Sequence, residues 1–153
     1  MNPTYSRRVR NEIARDWTEL YQEKSKTLIV KETHHELTFF MYFDNIKHPI
    51  IITVDFSQSC YPFKPPKIYI GYNKKDYISL LPTSWSFSKK ILGYECACCN
   101  SILCSWNPNR TIINILNEIR NNFNLKIRMI EIAHCRKIVD KIFGHYLPIE
   151  EFL

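Results

Sequence analysis

Tyr61-Pro62-Phe63-Lys64-Pro65-Pro66-Lys67-Ile68-Tyr69-Ile70 puts three prolines within five residues ahead of a β-branched and aromatic run. Each proline fixes φ and lacks an amide donor, so the stretch excludes helix and predicts a rigid extended turn feeding a strand at Lys67 to Tyr72. Upstream, from Thr27 onward, TLIVKET (27–33), LTFFMYF (37–43) and IIITVDF (50–56) are rich in the same residue types. Polar stretches holding Asp44, Asn45 and Pro49 divide them, which predicts consecutive antiparallel strands and a meander of four in all. Further upstream, Val9, Ile13, Trp17 and Tyr21 recur every four residues between Arg7, Arg8, Arg10 and Arg15. That is one apolar stripe on an N-terminal helix, with Trp17 as a core anchor.

Downstream, residues 73–94 show no clean period and read as a loop with at most a helical turn around Tyr77 to Leu81. Helical spacing returns at Ile112, Ile115, Leu116, Ile119 and Phe123, with Asn107 and Asn109 as candidate caps and Pro108 as an early-turn residue. Ile130, Ala133, His134, Ile138 and Ile142 predict a further helix closing near Gly144 and Pro148. Helix, four-stranded sheet, irregular stretch and C-terminal helices make an α+β layout. With 153 residues, 45% of them hydrophobic, and no linker or repeat, a single domain over 1–153 is expected.

The start MNPTYSRRVRNEIARDW carries charge inside every apolar grouping, so it predicts neither an export signal nor a membrane span. The expected setting is intracellular, cytoplasmic or nuclear, or within a host cell for a viral chain. A net charge of +6 is spread from Arg7 to Lys141 and fits solvated helix faces or an acidic protein partner; nucleic-acid binding has only this charge behind it. In a reducing compartment six cysteines favour free thiols, metal ligation or catalysis over disulfides. Four of the six lie between Cys96 and Cys104. They offer a nucleophile with accessory thiols, a zinc site built on Cys96, Cys99 and Cys104 with Cys98, His134 or Cys135 as fourth ligand, or plain buried residues. Only one C-x-x-C pair is present, whereas a zinc ribbon usually offers two, so no metal or other cofactor is expected. Packing is the expected role of Cys60 and Cys135. His34, His35 and His48 are expected on hairpins rather than as general bases.

Two separated segments resemble ubiquitin-conjugating enzymes. Tyr61-Pro62-Phe63-Lys64-Pro65-Pro66 is similar to the family's Tyr-Pro-Phe-x-Pro-Pro signature ahead of its fourth strand, and Trp106-Asn107-Pro108 with Thr111-Ile112 is similar to the Trp-Ser-Pro segment that opens its central helix. The resemblance covers residues 5–123 and weakens over 124–153. It implies that family's fold and its activity, in which ubiquitin or a related modifier is carried as a cysteine thioester and passed to a lysine or a ligase. The family's nucleophile precedes the Trp by eight positions, and 106 − 98 = 8 selects Cys98, with Cys99 as fallback. The resemblance also implies an activating enzyme and a ubiquitin ligase as partners, meeting Arg7, Arg8 and Phe63. The family's His-Pro-Asn triplet is missing from Ser86 to Lys90, and the stretch from Pro66 to Cys98 is longer than the family's. Asn100 is a candidate substitute for the missing amide. The alternative this departure raises is an inactive variant of the fold that binds ubiquitin or a ligase, with structural zinc at the cysteines.

Overall fold

A computed structural model of the chain describes residues 7–15, 27–44, 46–81 and 97–143. Residues 7–15 are helical (α1). Five strands follow: β1 Thr27–Glu32, β2 Glu36–Phe43, β3 Ile46–Asp55, β4 Lys67–Ile70 and β5 Lys75–Asp76. Helices α2 Tyr77–Leu80, α3 Ala97–Asn100 and α4 Ile112–Phe143 complete the elements. The strands form one antiparallel sheet in chain order, an α+β architecture with a C-terminal helix. Two compact units are present, Met1–Leu116 and Asn117–Leu153.

In the first unit the period-two alternation sets the core. Leu37 pairs with Val54 and Val54 with Ile68; one step along, Phe39 pairs with Ile52 and Ile52 with Ile70. All six are buried, so these rows form one continuous apolar face. The opposite face carries Leu28 beside Phe40 and Phe40 beside Ile51. Val9, Phe56, Tyr61, Tyr77, Leu81 and the α4 residues Ile112, Ile113, Ile115 and Leu116 are also buried in this unit. Trp17 and Tyr21 lie outside the described residues.

Four sequence expectations require correction. The sheet has five strands rather than four, because the chain reverses after β4. Gly71 at φ +77° and Lys74 at φ 45° make the turn, Lys74 N–H donates to Gly71 C=O at 3.2 Å, and Lys74 Nζ is held by Glu36 Oε1 at 2.7 Å. A two-residue strand of Lys and Asp has no hydrophobic alternation by which to be read. Next, the two helices expected beyond Trp106 are one 32-residue helix, α4. Nothing between Phe123 and Ile130 breaks it, for Asn-Leu-Lys-Ile-Arg-Met contains neither Gly nor Pro. Its cap is Thr111, not Asn107 or Asn109. Asn114 N–H donates to Thr111 Oγ1 at 3.4 Å and Thr111 N–H donates to Asn114 Oδ1 at 2.9 Å, a reciprocal capping box. Finally, Cys60 and Cys135 are exposed. Tyr61 takes the inward place in the proline turn, and Cys135 sits on an α4 stretch whose neighbours Ala133, His134 and Lys137 face solvent.

In the second unit Ile119 and Met129 are buried while Ile130, Ile138 and Ile142 are exposed. Among the described residues no helix is long and apolar enough to cross a membrane.

Candidate functional site

The proline turn is built around a buried carboxylate. Glu12 follows Val9 by three residues, shares its inward face on α1 and is only 2% exposed. One carboxylate oxygen accepts the Tyr61 hydroxyl at 2.5 Å and the Ile112 amide at 3.2 Å; the other accepts Arg8 Nε. The Ile112 amide is one of the α4 N-terminal donors that the helix itself cannot satisfy, and a carboxylate there is also favoured by the helix dipole. One side chain thus ties α1, the turn and the start of α4 together. Burial, and next the carboxylate of Glu12, push the Tyr61 hydroxyl well above the ordinary tyrosine range. The Tyr61 ring meets Phe56 edge-on at 5.2 Å between centroids and Trp106 at 5.9 Å.

The two segments that carried the resemblance meet directly. Trp106 Nε1 donates to the Pro62 carbonyl at 2.8 Å across 44 positions of sequence. The Tyr61–Pro62 peptide bond is cis. From this pinned turn Phe63 projects outward, 74% exposed. Arg7 is exposed. Arg8, expected on the partner surface beside it, also turns inward, giving Nη2 to the Pro108 carbonyl at 3.3 Å besides its bond to Glu12.

Cys98, Cys99 and Asn100 occupy the single turn of α3. Cys98 is half-buried and disulfide-bonded; Cys99 is an exposed free thiol, its Sγ 3.9 Å from Cys98 Sγ. Cys60, Cys104 and Cys135 are free thiols as well. After α3 the chain turns about Ser101. Its amide donates to Cys98 C=O at 3.3 Å, its carbonyl accepts from Cys104 N at 3.0 Å and Ser105 N at 3.2 Å, and its hydroxyl accepts from Leu103 N at 3.2 Å. Asn100 is exposed and stands two positions from Cys98, a spacing that does not bring side chains together on a helical turn.

Of the proposed zinc ligands, Cys96 lies outside the described residues, and Cys99 and Cys104 are exposed free thiols. Among the described residues no group of three or more His, Cys, Asp or Glu is placed to hold a metal ion. His34 and His35 sit in the β1–β2 turn and His48 on β3, all exposed. The sequence reading missed Glu12 and Ser101. Glu12, an acid three residues after the stripe position Val9, reads as surface until its distant partners are in place; Ser101 left no signal, because its bonds are local turns. Compared with known proteins, the chain matches no family model, no curated protein and no solved structure.

Proposed function

We propose that the first unit is a ubiquitin-conjugating-type fold whose Cys98 carries ubiquitin or a related modifier as a thioester, delivering it to a lysine or a ligase. The observation that carries this reading is the interlock of the two resembling segments through Trp106 Nε1 and the Pro62 carbonyl. Segments 44 positions apart that resemble one family in order, and are also bonded to each other, support a shared architecture over a coincidence of composition. Cys98 then stands at the family's offset before Trp106. A thiolate is a competent nucleophile toward an activated C-terminal glycine, and a thiol is a good leaving group toward a lysine amine. Arg7 and Phe63 remain the candidate contacts for activating enzyme and ligase, and the engagement of Arg8 with Glu12 and Pro108 leaves it positioning α1.

The experiment is incubation of the reduced chain with activating enzyme, ATP and ubiquitin, followed by electrophoresis with and without reducing agent. A reducible adduct is expected, lost in Cys98→Ala. An adduct that survives Cys98→Ala and disappears in Cys99→Ala moves the nucleophile one place. A second reading, a non-catalytic module that binds ubiquitin or a ligase, is favoured by the disulfide at Cys98 and by the missing His-Pro-Asn triplet. No adduct from a fully reduced chain, with retained binding to ubiquitin or a ligase, decides for it.

A further inference from the structure

The second half of α4 holds a line of apolar side chains in solvent. Ile130, Ile138 and Ile142 are 61%, 45% and 66% exposed. With His134, also exposed, they recur at every fourth residue, and on a helix of 3.6 residues per turn each such step advances only about 40° around the axis. The four side chains therefore stand one above another as a continuous ridge, about 18 Å from end to end. Buried Met129 and half-buried Ile132, Arg136 and Val139 occupy the opposite side of the helix, so the ridge is not the margin of the packed face. Single exposed apolar residues are ordinary, whereas a line of them on successive turns marks a surface that another element covers. Helix stability does not call for isoleucine there, because unbranched Lys, Glu or Gln has the higher propensity at a solvent position.

The charges around the ridge select its occupant. The adjacent row is Ala133, Lys137 and Lys141, and Lys126 lies one step of four before Ile130; all are exposed. The row on the other side holds exposed Glu131. Arg136 and Asp140 offset each other across 3.9 Å, away from the ridge. Lysines thus dominate the border, and a rim of one sign favours a partner of the opposite sign. A second copy of the chain fits poorly. In an antiparallel two-fold pairing each lysine row meets its own copy, and in a parallel one Lys137 and the copy's carboxylate at position 131 stand about 9 Å apart along the axis. We propose that the ridge at 130–142 docks an amphipathic helix of a partner protein, whose apolar stripe packs on the three isoleucines and whose acidic flank meets Lys137 and Lys141. A ridge along the four-residue rows fits the grooves of such a helix at the common crossing angle of about −50°. The surface lies in the second unit and is independent of Cys98: neither thioester chemistry nor Phe63 uses it.

The test titrates the full chain into a fluorescent synthetic peptide about 18 residues long, with leucine at alternating three- and four-residue spacing and glutamate on both flanks, read by anisotropy. The comparison probe is the same peptide with lysine in place of glutamate. Saturable binding of the glutamate peptide is expected, about tenfold tighter than that of the lysine peptide and weakened by added sodium chloride. Ile138→Asp should weaken it about tenfold while the circular dichroism spectrum stays unchanged. Lys137→Glu combined with Lys141→Glu, both at exposed positions, should reverse the preference in favour of the lysine peptide. No saturable binding of the glutamate peptide, equal affinity for the two peptides, or binding that survives Ile138→Asp would overturn the proposal. A dimer in sedimentation that Ile138→Asp abolishes would give the ridge to a second copy. Binding to phosphatidylserine vesicles that the same variant abolishes, with no binding of the peptide, would give it to a membrane surface. Either result overturns the acidic helix as occupant.

Discussion

The turn at Tyr61 and the segment at Cys98 are both short and irregular, yet they are held differently. Around Tyr61 the side chains are locked from several directions: the hydroxyl by Glu12, the ring by Phe56 and Trp106, and the next carbonyl by the Trp106 indole. Around Cys98 the backbone turns locally about Ser101, and the thiols of Cys99 and Cys104 face solvent. The first region trades chemical freedom for position. The second leaves the thiols of Cys99 and Cys104 accessible.

That contrast is broken most directly by deleting one residue from each side. Tyr61→Ala removes a buried ring and leaves Glu12 without its hydroxyl donor, so unfolding should become easier by about 3–5 kcal/mol in a denaturant titration. Cys104→Ala, at an exposed position, should change stability by no more than about 0.5 kcal/mol. Equal losses would mean that the cysteine segment is packed as tightly as the turn. Glu12→Ala comes next. It strips acceptors from the Tyr61 hydroxyl and the Ile112 amide, each costly to leave unmet when buried, and should destabilise by about 2–3 kcal/mol. An effect near zero would show that water replaces the carboxylate and that the three elements are held by packing alone.

Tyr61 also gives the comparison a pH axis. Its folded-state proton is held more tightly than in the unfolded chain, so the neutral form is common to both states below the ordinary tyrosine pKa of about 10 and no stability is lost there. Above about pH 10 the unfolded state releases the proton while the folded state keeps it. Stability should then fall with rising pH, by up to about 1.4 kcal/mol per pH unit from this group. Tyr61→Phe should flatten that alkaline limb relative to the parent chain in urea titrations between pH 9 and 11. Parallel limbs would remove Tyr61 from the alkaline instability.

The difference between the regions also explains what could be read from the residues. The strands and the proline turn were legible because TLIVKET, LTFFMYF and IIITVDF are β-branched and aromatic runs and three prolines leave few backbone options. The fifth strand was not, since its turn depends on φ values and on a Lys74–Glu36 contact that no local pattern encodes. The continuous α4 was hidden because exposed apolar residues at Ile130 and Ile138 read as the face of a second helix. At the candidate site, Cys98 was selected by the offset from Trp106 that the resemblance implies, and Phe63 was named through the same resemblance. Glu12 escaped because an acid in an apolar stripe looks like surface until its partners, 49 and 100 positions away, are in place. The sulfur chemistry escaped too, because composition cannot say which two sulfurs are neighbours.

Phe63 gives the smallest expected change in stability and the finest test of the contrast. It stands on a firmly held turn yet is 74% exposed, so its ring contributes little to the core. Phe63→Ala should therefore alter stability by no more than about 0.5 kcal/mol, an order of magnitude below Tyr61→Ala two positions away. A rigid, outward aromatic is also the kind of residue that anchors a partner, because its binding orientation is fixed before contact and little rotamer freedom remains to be lost. If the turn serves that purpose, the same variant should weaken ligase binding by about 1 kcal/mol or more in a titration, with the Cys98 adduct forming as before. Unchanged stability with unchanged ligase affinity would leave the rigid turn as scaffold only. A fall in stability approaching that of Tyr61→Ala would show that the ring packs in solution, and would take Phe63 off the partner surface.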